Sequence, residues 1–480
     1  MKKTHYVLLA AAIVIAGGIP ATAQQLPPIR QIGAVVTTTT EKLGAVSAVR
    51  QLSNGSVIVN DIVGRRVLLF DADLKKFTVV ADTTSATANA YGTRPGGLIP
   101  YRGDSTLFVD PASLSMLVID GSGKIGRVMS VPRANDAQFL IGGPFGAAGF
   151  DPQGRLVYRA PPRPVFSGGL PGGAGGGGSA RPAFTPPVIP DSAALVRVDL
   201  ATRKVDTLAF IKTPKFSMQV SQDANGGMRM QSTINPLPIV DDWGILPDGT
   251  VGLVRGKDYH IDWLSPEKAM TSTAKIPFEW QRLSDDDKVA FIDSTRKAME
   301  EARASGNMGG ALAGMFGGGG GQMTIRTGQD GPGAGRTQGG EGTRRAPAPG
   351  GRGDIVTSET VTTAVPAGGG AVTQTGAAGG GSGGGGLPLI NFVAPSELPD
   401  YKPPFAGNAT RVDPDGNLWI RTSQNVKGLA VYNVVNRKGQ VIDRVQLPAG
   451  RVIAGFGSGG AVYLGSREAG TARLEKVLVK

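Results

Sequence analysis

Ala409-Thr-Arg-Val-Asp-Pro-Asp-Gly416-Asn-Leu-Trp-Ile-Arg421 reads as an apolar strand, a tight turn centred on glycine, and a second apolar strand ending in a charge. Glycine accepts the positive φ of such a turn without steric cost. The β-branched and aromatic residues on either side suit a pleated, half-buried surface. The same pattern recurs over 48–60 around Gly55, over 148–159 around Gly154 and over 242–255 around Gly249. Weaker copies fit Arg102-Gly-Asp104 and Gly457-Ser-Gly-Gly460. Two further strand-like runs follow the copies, as at 66–71 and 76–81. Four consecutive antiparallel strands make one propeller blade. The fold expected is therefore all-β, a six-bladed β-propeller. The last unit has only three strands, at 452–456, 461–464 and 472–479, while an unpaired run, 32–39, precedes the first unit. Joining them would close the ring with an N-terminal strand and remove exposed sheet edges.

The pattern resembles six-bladed propellers of the NHL-repeat and senescence-marker/gluconolactonase type, above all in Asp413-Pro-Asp-Gly-Asn-Leu-Trp419. The resemblance spans about residues 30–480 apart from the inserts and is one of fold. For gluconolactonase-like members it implies a calcium site of carboxylates and asparagines. Asp242 (or Asp241), Asn408 and Asn60 are this chain's candidates, so Ca2+ is the one cofactor suggested.

Repeat glycines near 55, 104 (the weaker copy) and 154 fall about 50 residues apart, a normal blade length. From 154 to 249 the gap is about twice that, and from 249 to 416 more than three times it. Two low-complexity stretches account for the excess. Residues 163–190 are Pro- and Gly-rich, and 306–388 is a Gly/Ala/Thr/Arg tract with few large apolar residues. Such composition buries too little surface to offset ordering entropy, so both are expected to be disordered loops. One helix is expected over 285–304. Ser284 caps it, and Asp285, Asp286 and Asp287 complement its dipole. Val289, Phe291, Ile292 and Met299 mark its buried face, which would lie beside the propeller as a partial lid.

Residues 1–23 read as a signal peptide: Lys2 and Lys3, an apolar run from Val7 to Ile15, and Ala21-Thr22-Ala23 before a cleavage at Gln24. The run is too short to span a bilayer, which takes about 20 residues. An exported chain, periplasmic or secreted, with a single propeller domain over 24–480 and no stable membrane insertion, is expected. The formal charge of +12 falls by the two leader lysines to +10. Basic residues are not clustered with stacking aromatics, which argues against nucleic acid. With Cys 0, thiol catalysis, zinc–thiolate sites and iron–sulfur clusters are excluded. A monomer is expected.

In a propeller the second strand of each blade ends at the ligand-binding face. Five to seven residues beyond each turn glycine stand Asp61, Asp110, Arg159, Arg255, Arg421 and Arg467. They read either as a funnel that grips an anionic ligand through guanidinium contacts, or as a solvated, salt-bridged rim. Blade four is densest, with Asp241, Asp242, Arg255, Asp258, His260 and Asp262. Asp258, His260 and Asp262 alternate along an extended run and so share one face. They suit a cation or a positioned base, or equally a hydrogen-bond network that orients the blade. His260 is the only histidine beyond the leader, so three-histidine and His-Glu-x-x-His zinc sites are excluded. No Gly-x-Ser-x-Gly elbow follows a strand. Trp243 and Trp419 beside repeat turns read as packing residues. Three function classes stand, the third being a structural surface protein whose disordered loops make the contacts. The first is a non-catalytic module of the cell envelope that binds a small anionic ligand or an envelope protein. The second is a divalent-metal-dependent hydrolase or lyase of the gluconolactonase or streptogramin-lyase type, using Asp242, Asp258, His260 and Asn408.

Overall fold

The computed structural model describes residues 25–163, 188–222, 228–305, 389–468 and 471–479. The leader at 1–23 and nearly all of the inserts expected at 163–190 and 306–388 lie outside the described residues. Six antiparallel sheets follow one another along the chain: blade 1 over 46–81, blade 2 over 97–130, blade 3 over 149–212, blade 4 over 242–272, blade 5 over 410–446 and blade 6 over 451–478. The first strand of each blade lies innermost. Val46–Gln51 of blade 1 packs against Gly97–Pro100 of blade 2 and Arg451–Phe456 of blade 6. The apolar cores lie between blades. Leu43, Val57 and Leu68 meet Tyr463 and Leu474 across the seam of blades 6 and 1, so the ring is continuous.

The repeat turns explain the glycines. Gly55, Gly154, Gly249 and Gly416 have φ between 75° and 85°. Each donates its N–H to the carbonyl three residues back, and the residue there pairs with the one just past the glycine, as in Asp413 N–H to Asn417 O at 3.1 Å. That is a type I turn closed by a left-handed residue. Asp413 reinforces it by accepting from the Asn417 N–H (2.8 Å) and from the Trp419 indole (3.0 Å). Trp419 then packs on Phe456 at 5.3 Å between ring centres, a packing role as its position implied.

The N-terminal segment departs from the single strand expected at 32–39. Ile29–Gln31 runs parallel to Val441–Gln446 as a fifth strand of blade 5, with Ile29 opposite Arg444. Val35–Thr38 runs antiparallel to Thr471–Leu478 as the outer strand of blade 6, with Thr38 opposite Glu475. Arg30 pairs with Asp443 on the way. Gly33 sits at the crossing because a Cβ there would lie 1.9 Å from the Leu478 carbonyl oxygen.

Strand parity sorts the connections. Turns after the first and third strands of every blade emerge on one face. Those after the second strand, and all links between blades, emerge on the other. That connector face carries the described sheet and helix that lie outside the blades. A three-stranded sheet leaves between blades 3 and 4: Phe216–Gln222 pairs antiparallel with Met228–Ile234, which pairs parallel with Leu389–Phe392. The helix Asp285–Ala304 lies in the link from blade 4 to blade 5, over the residues expected. Ser284 and Asp287 cap it reciprocally. Its buried residues are Lys288, Ile292 and Met299, whereas Val289, expected inside, is exposed. Among the described residues no helix is long and apolar enough to cross a membrane.

Candidate functional site

All six rim residues stand on second strands, toward the connector face, yet they do different things. Asp61 is fully buried and accepts from the Gly44, Ala45 and Gly64 N–H groups, each at 2.9 Å, and from Arg66 Nε at 3.1 Å. Asp110 accepts from the Ala112 N–H (3.1 Å) and from the N–H and hydroxyl of Ser113 (3.3 and 2.5 Å). Both acids turn inward and build the bend that follows their strand, so neither faces a ligand. Arg159 is also inside, 8% exposed, lying 5.0 Å from the Phe145 ring centre with its Nε unpartnered. Burial pulls its pKa down to about 10, against the opposing charge of Asp242. Arg467 is exposed.

Blade 4 assembles the cluster expected of it. Arg255 donates to Asp241 (2.8 Å), Asp262 (2.7 Å) and the Phe210 carbonyl (3.1 Å). His260 lies between Asp258 (2.7 Å) and Asp262 (3.2 Å), and Ser272 donates to Asp262 at 2.5 Å. Burial alone would raise the Asp262 carboxyl. Hydrogen bonds from Ser272 and Arg255, and the charges of Arg255 and His260, outweigh it and hold the group below its ordinary range. These charges satisfy one another along the strand.

The three calcium candidates do not share partners. Asp242 points away from Asp241, is buried, and accepts from the Thr410 N–H at 2.8 Å, binding blade 4 to blade 5. Burial pushes its carboxyl pKa up. Asn408 accepts from Arg411 at 2.9 Å. Asn60 belongs to the seam of blades 1 and 2, donating to Ser47 Oγ and the Gly96 carbonyl (both 2.8 Å) and accepting from Tyr91 (3.2 Å). Among the described residues no group of three or more His, Asp or Glu is placed to hold a metal ion.

The open space lies elsewhere on the connector face. A cavity of about 540 Å³ is walled by the helix (Phe291, Ser294, Thr295, Ala298), by the base of the small sheet (Pro214, Pro236, Leu237, Pro238) and by blade 5 with the segment leading into it. The spacing of the four helix residues is one helical face. On the blade 5 side stand Arg421, Ser423, Asn425 and Lys402. The second strand here, Leu418–Val426, overshoots those of the other blades. Between Arg421, opposite Tyr432, and Asn425, opposite Ala430, three residues face one. A bulge of this kind re-aims side chains. Among the described residues no carboxylate lines the cavity. The side chains of Arg421 and Lys402 make no hydrogen bond or ion pair among the described residues.

Of the rim residues, only Arg421 is thus unengaged and beside a cavity. Lys402, Ser423 and Asn425 escape a reading by repeat register because the register ends the strand at Arg421. The Lys427-Gly428 pair, at φ 53° and 76°, is the hairpin signal that extends it.

No family model matches the chain, and no curated protein matches it. Among solved structures it is similar to a luciferin-regenerating enzyme, at 14% identity over 51% of this chain and 81% of that one, with TM-score 0.23. It is similar to virginiamycin B lyase from Staphylococcus aureus, at 11% identity over 51% and 74%, with TM-score 0.25. A gluconolactonase from Xanthomonas campestris is similar at 12% identity over 54% and 91%, with TM-score 0.23. These likenesses concern the fold alone.

Proposed function

We propose that this chain is an exported propeller that binds a small anionic molecule in the cavity between the helix and blade 5. One observation carries the reading: among the described residues, the guanidinium of Arg421 has no hydrogen-bond or ion-pair partner, and no carboxylate stands in the wall of the cavity of about 540 Å³ that it lines. A guanidinium is always charged and offers a planar fork to oxyanions. Cavities of about 300–1,000 Å³ with a few placed polar groups are the usual form of small-molecule sites. Lys402 adds a second cation on the same side. The metal-dependent hydrolase or lyase has less support, because Asp258 and Asp262 engage both nitrogens of His260 and the Asn60 amide is bonded at its nitrogen and its oxygen within the seam of blades 1 and 2.

A ligand bound only to the folded chain raises its melting temperature. Acetate, inorganic phosphate and 4-phenylbutyrate are the probes. At least one should stabilise the chain, and the effect should vanish in Arg421→Gln and persist in Arg467→Gln. No stabilisation by any of them, or an effect unchanged in Arg421→Gln, would overturn the reading. Export predicts that the chain recovered from outside the cytoplasm begins at Gln24, which N-terminal sequencing checks.

A further inference from the structure

We infer that the occupant is an amphiphilic monoanion, a carboxylic acid on an aromatic or aliphatic body, with its head on blade 5 and its body beneath the helix. This rests on the anion-binding reading and adds a polarity to it. The donors in the wall are sharply divided. On the helix, Ser294 and Thr295 both donate their hydroxyl protons to the Phe291 carbonyl, at 2.9 and 2.7 Å. The Thr422 hydroxyl likewise donates to the Val431 carbonyl at 3.1 Å. Those three hydroxyls have no proton left to give. Among the described residues, the side-chain donors that remain free are the Arg421 guanidinium, the Lys402 ammonium, the Ser423 hydroxyl and the Asn425 amide, all on the side of blade 5.

The rest of the wall is apolar. Phe291 and Ala298 come from the helix, Leu237 and three prolines from the base of the small sheet, and prolines carry no N–H to offer. An inorganic anion at Arg421 would leave that surface wet, since even a water occupies only about 30 Å³. An apolar body gains about 25 cal/mol for each Å² it removes from water. Phe291 and Ala298 therefore set which acids are preferred, and Arg421 sets that they are acids. A single guanidinium suits a planar carboxylate, held by two parallel N–H bonds.

Isothermal titration of the leaderless chain with 4-phenylbutyrate, its uncharged amide, acetate and inorganic phosphate tests this. Phenylbutyrate should bind at least tenfold more tightly than acetate or phosphate, and the amide should not bind. Phe291→Ala should weaken phenylbutyrate about tenfold and leave acetate unchanged. If that variant loses helix content, Ala298→Glu replaces it: a like charge on the roof should repel the acid at unaltered helicity. Acetate or phosphate binding as tightly as phenylbutyrate overturns the amphiphile while the anion reading stands. An amide that binds as well as the acid, or no binding by any anion, overturns both.

Discussion

Adjacent residues of one type divide the work at blade 4. Asp241 holds Arg255 at the surface, while Asp242 is buried and ties Thr410 of the next blade. Strand alternation foretells that neighbours point apart, but not what they meet. The same gap separates the placement of Asp61 and Asp110, legible from the repeat, from their turn-building role. That role depends on backbone N–H groups of Gly44, Gly64 and Ala112, which no side-chain pattern displays. Asp262 makes the charge network testable. Its folded pKa is depressed, so the unfolded chain binds the proton more readily. Its contribution is fully present above the ordinary Asp value of about 3.9 and is lost as pH falls through the lower, folded value. Asp262→Asn should cost about 1–3 kcal/mol at pH 7, the scale of hydrogen bonds to charged groups. It should also flatten the acid loss of stability. Urea unfolding at pH 7 and at about pH 3 checks both; an acid slope equal to that of the unaltered chain would contradict the assignment.

The helix shows how an element can be read correctly and its face misjudged. Ser284 and the three aspartates mark its start, and the capping box is there. Polarity put Val289 inside, and the structure exposes it and buries Lys288 instead. A lysine stem packs like an apolar chain while its head reaches a carboxylate, here Asp400 at 2.7 Å. Removing only the acid strands a buried ammonium, whereas replacing the lysine by an apolar isostere does not. Asp400→Ala should therefore destabilise helix docking by more than Lys288→Met, which should be neutral or mildly stabilising. Limited proteolysis near residue 283 measures the difference. Ser284→Ala should cost about 1 kcal/mol through the lost cap. The small sheet was partly legible, since Phe216-Ser-Met-Gln-Val-Ser-Gln222 alternates as a strand does. Its third strand, Leu389–Phe392, arrives from beyond a long insert, and no local pattern announces such a partner. The cavity was hidden for that reason: the sheet, the helix and blade 5 contribute its walls from distant stretches.

For the whole molecule, the repeat glycines carried the blade count because each blade needs one left-handed turn, and that need is local. The two N-terminal strands were half visible. A chain that begins at Gln25 retains both; one that begins at Glu41 lacks both, and blades 5 and 6 each lose an outer strand. The shorter chain should unfold at a clearly lower urea concentration, and an unchanged midpoint would show that the pairings contribute nothing. Ile29 waits for Arg444 and Thr38 for Glu475, nearly the whole chain away. Contacts so far apart in sequence form late, after most of the loop-closure entropy has been overcome. A polypeptide that emerges with its N-terminus leading thus presents Val35 and Val36 as a bare strand edge until the last blade is made. The stretch that lends an outer strand to each of the last two blades thus keeps an open edge longer than any blade strand made after it.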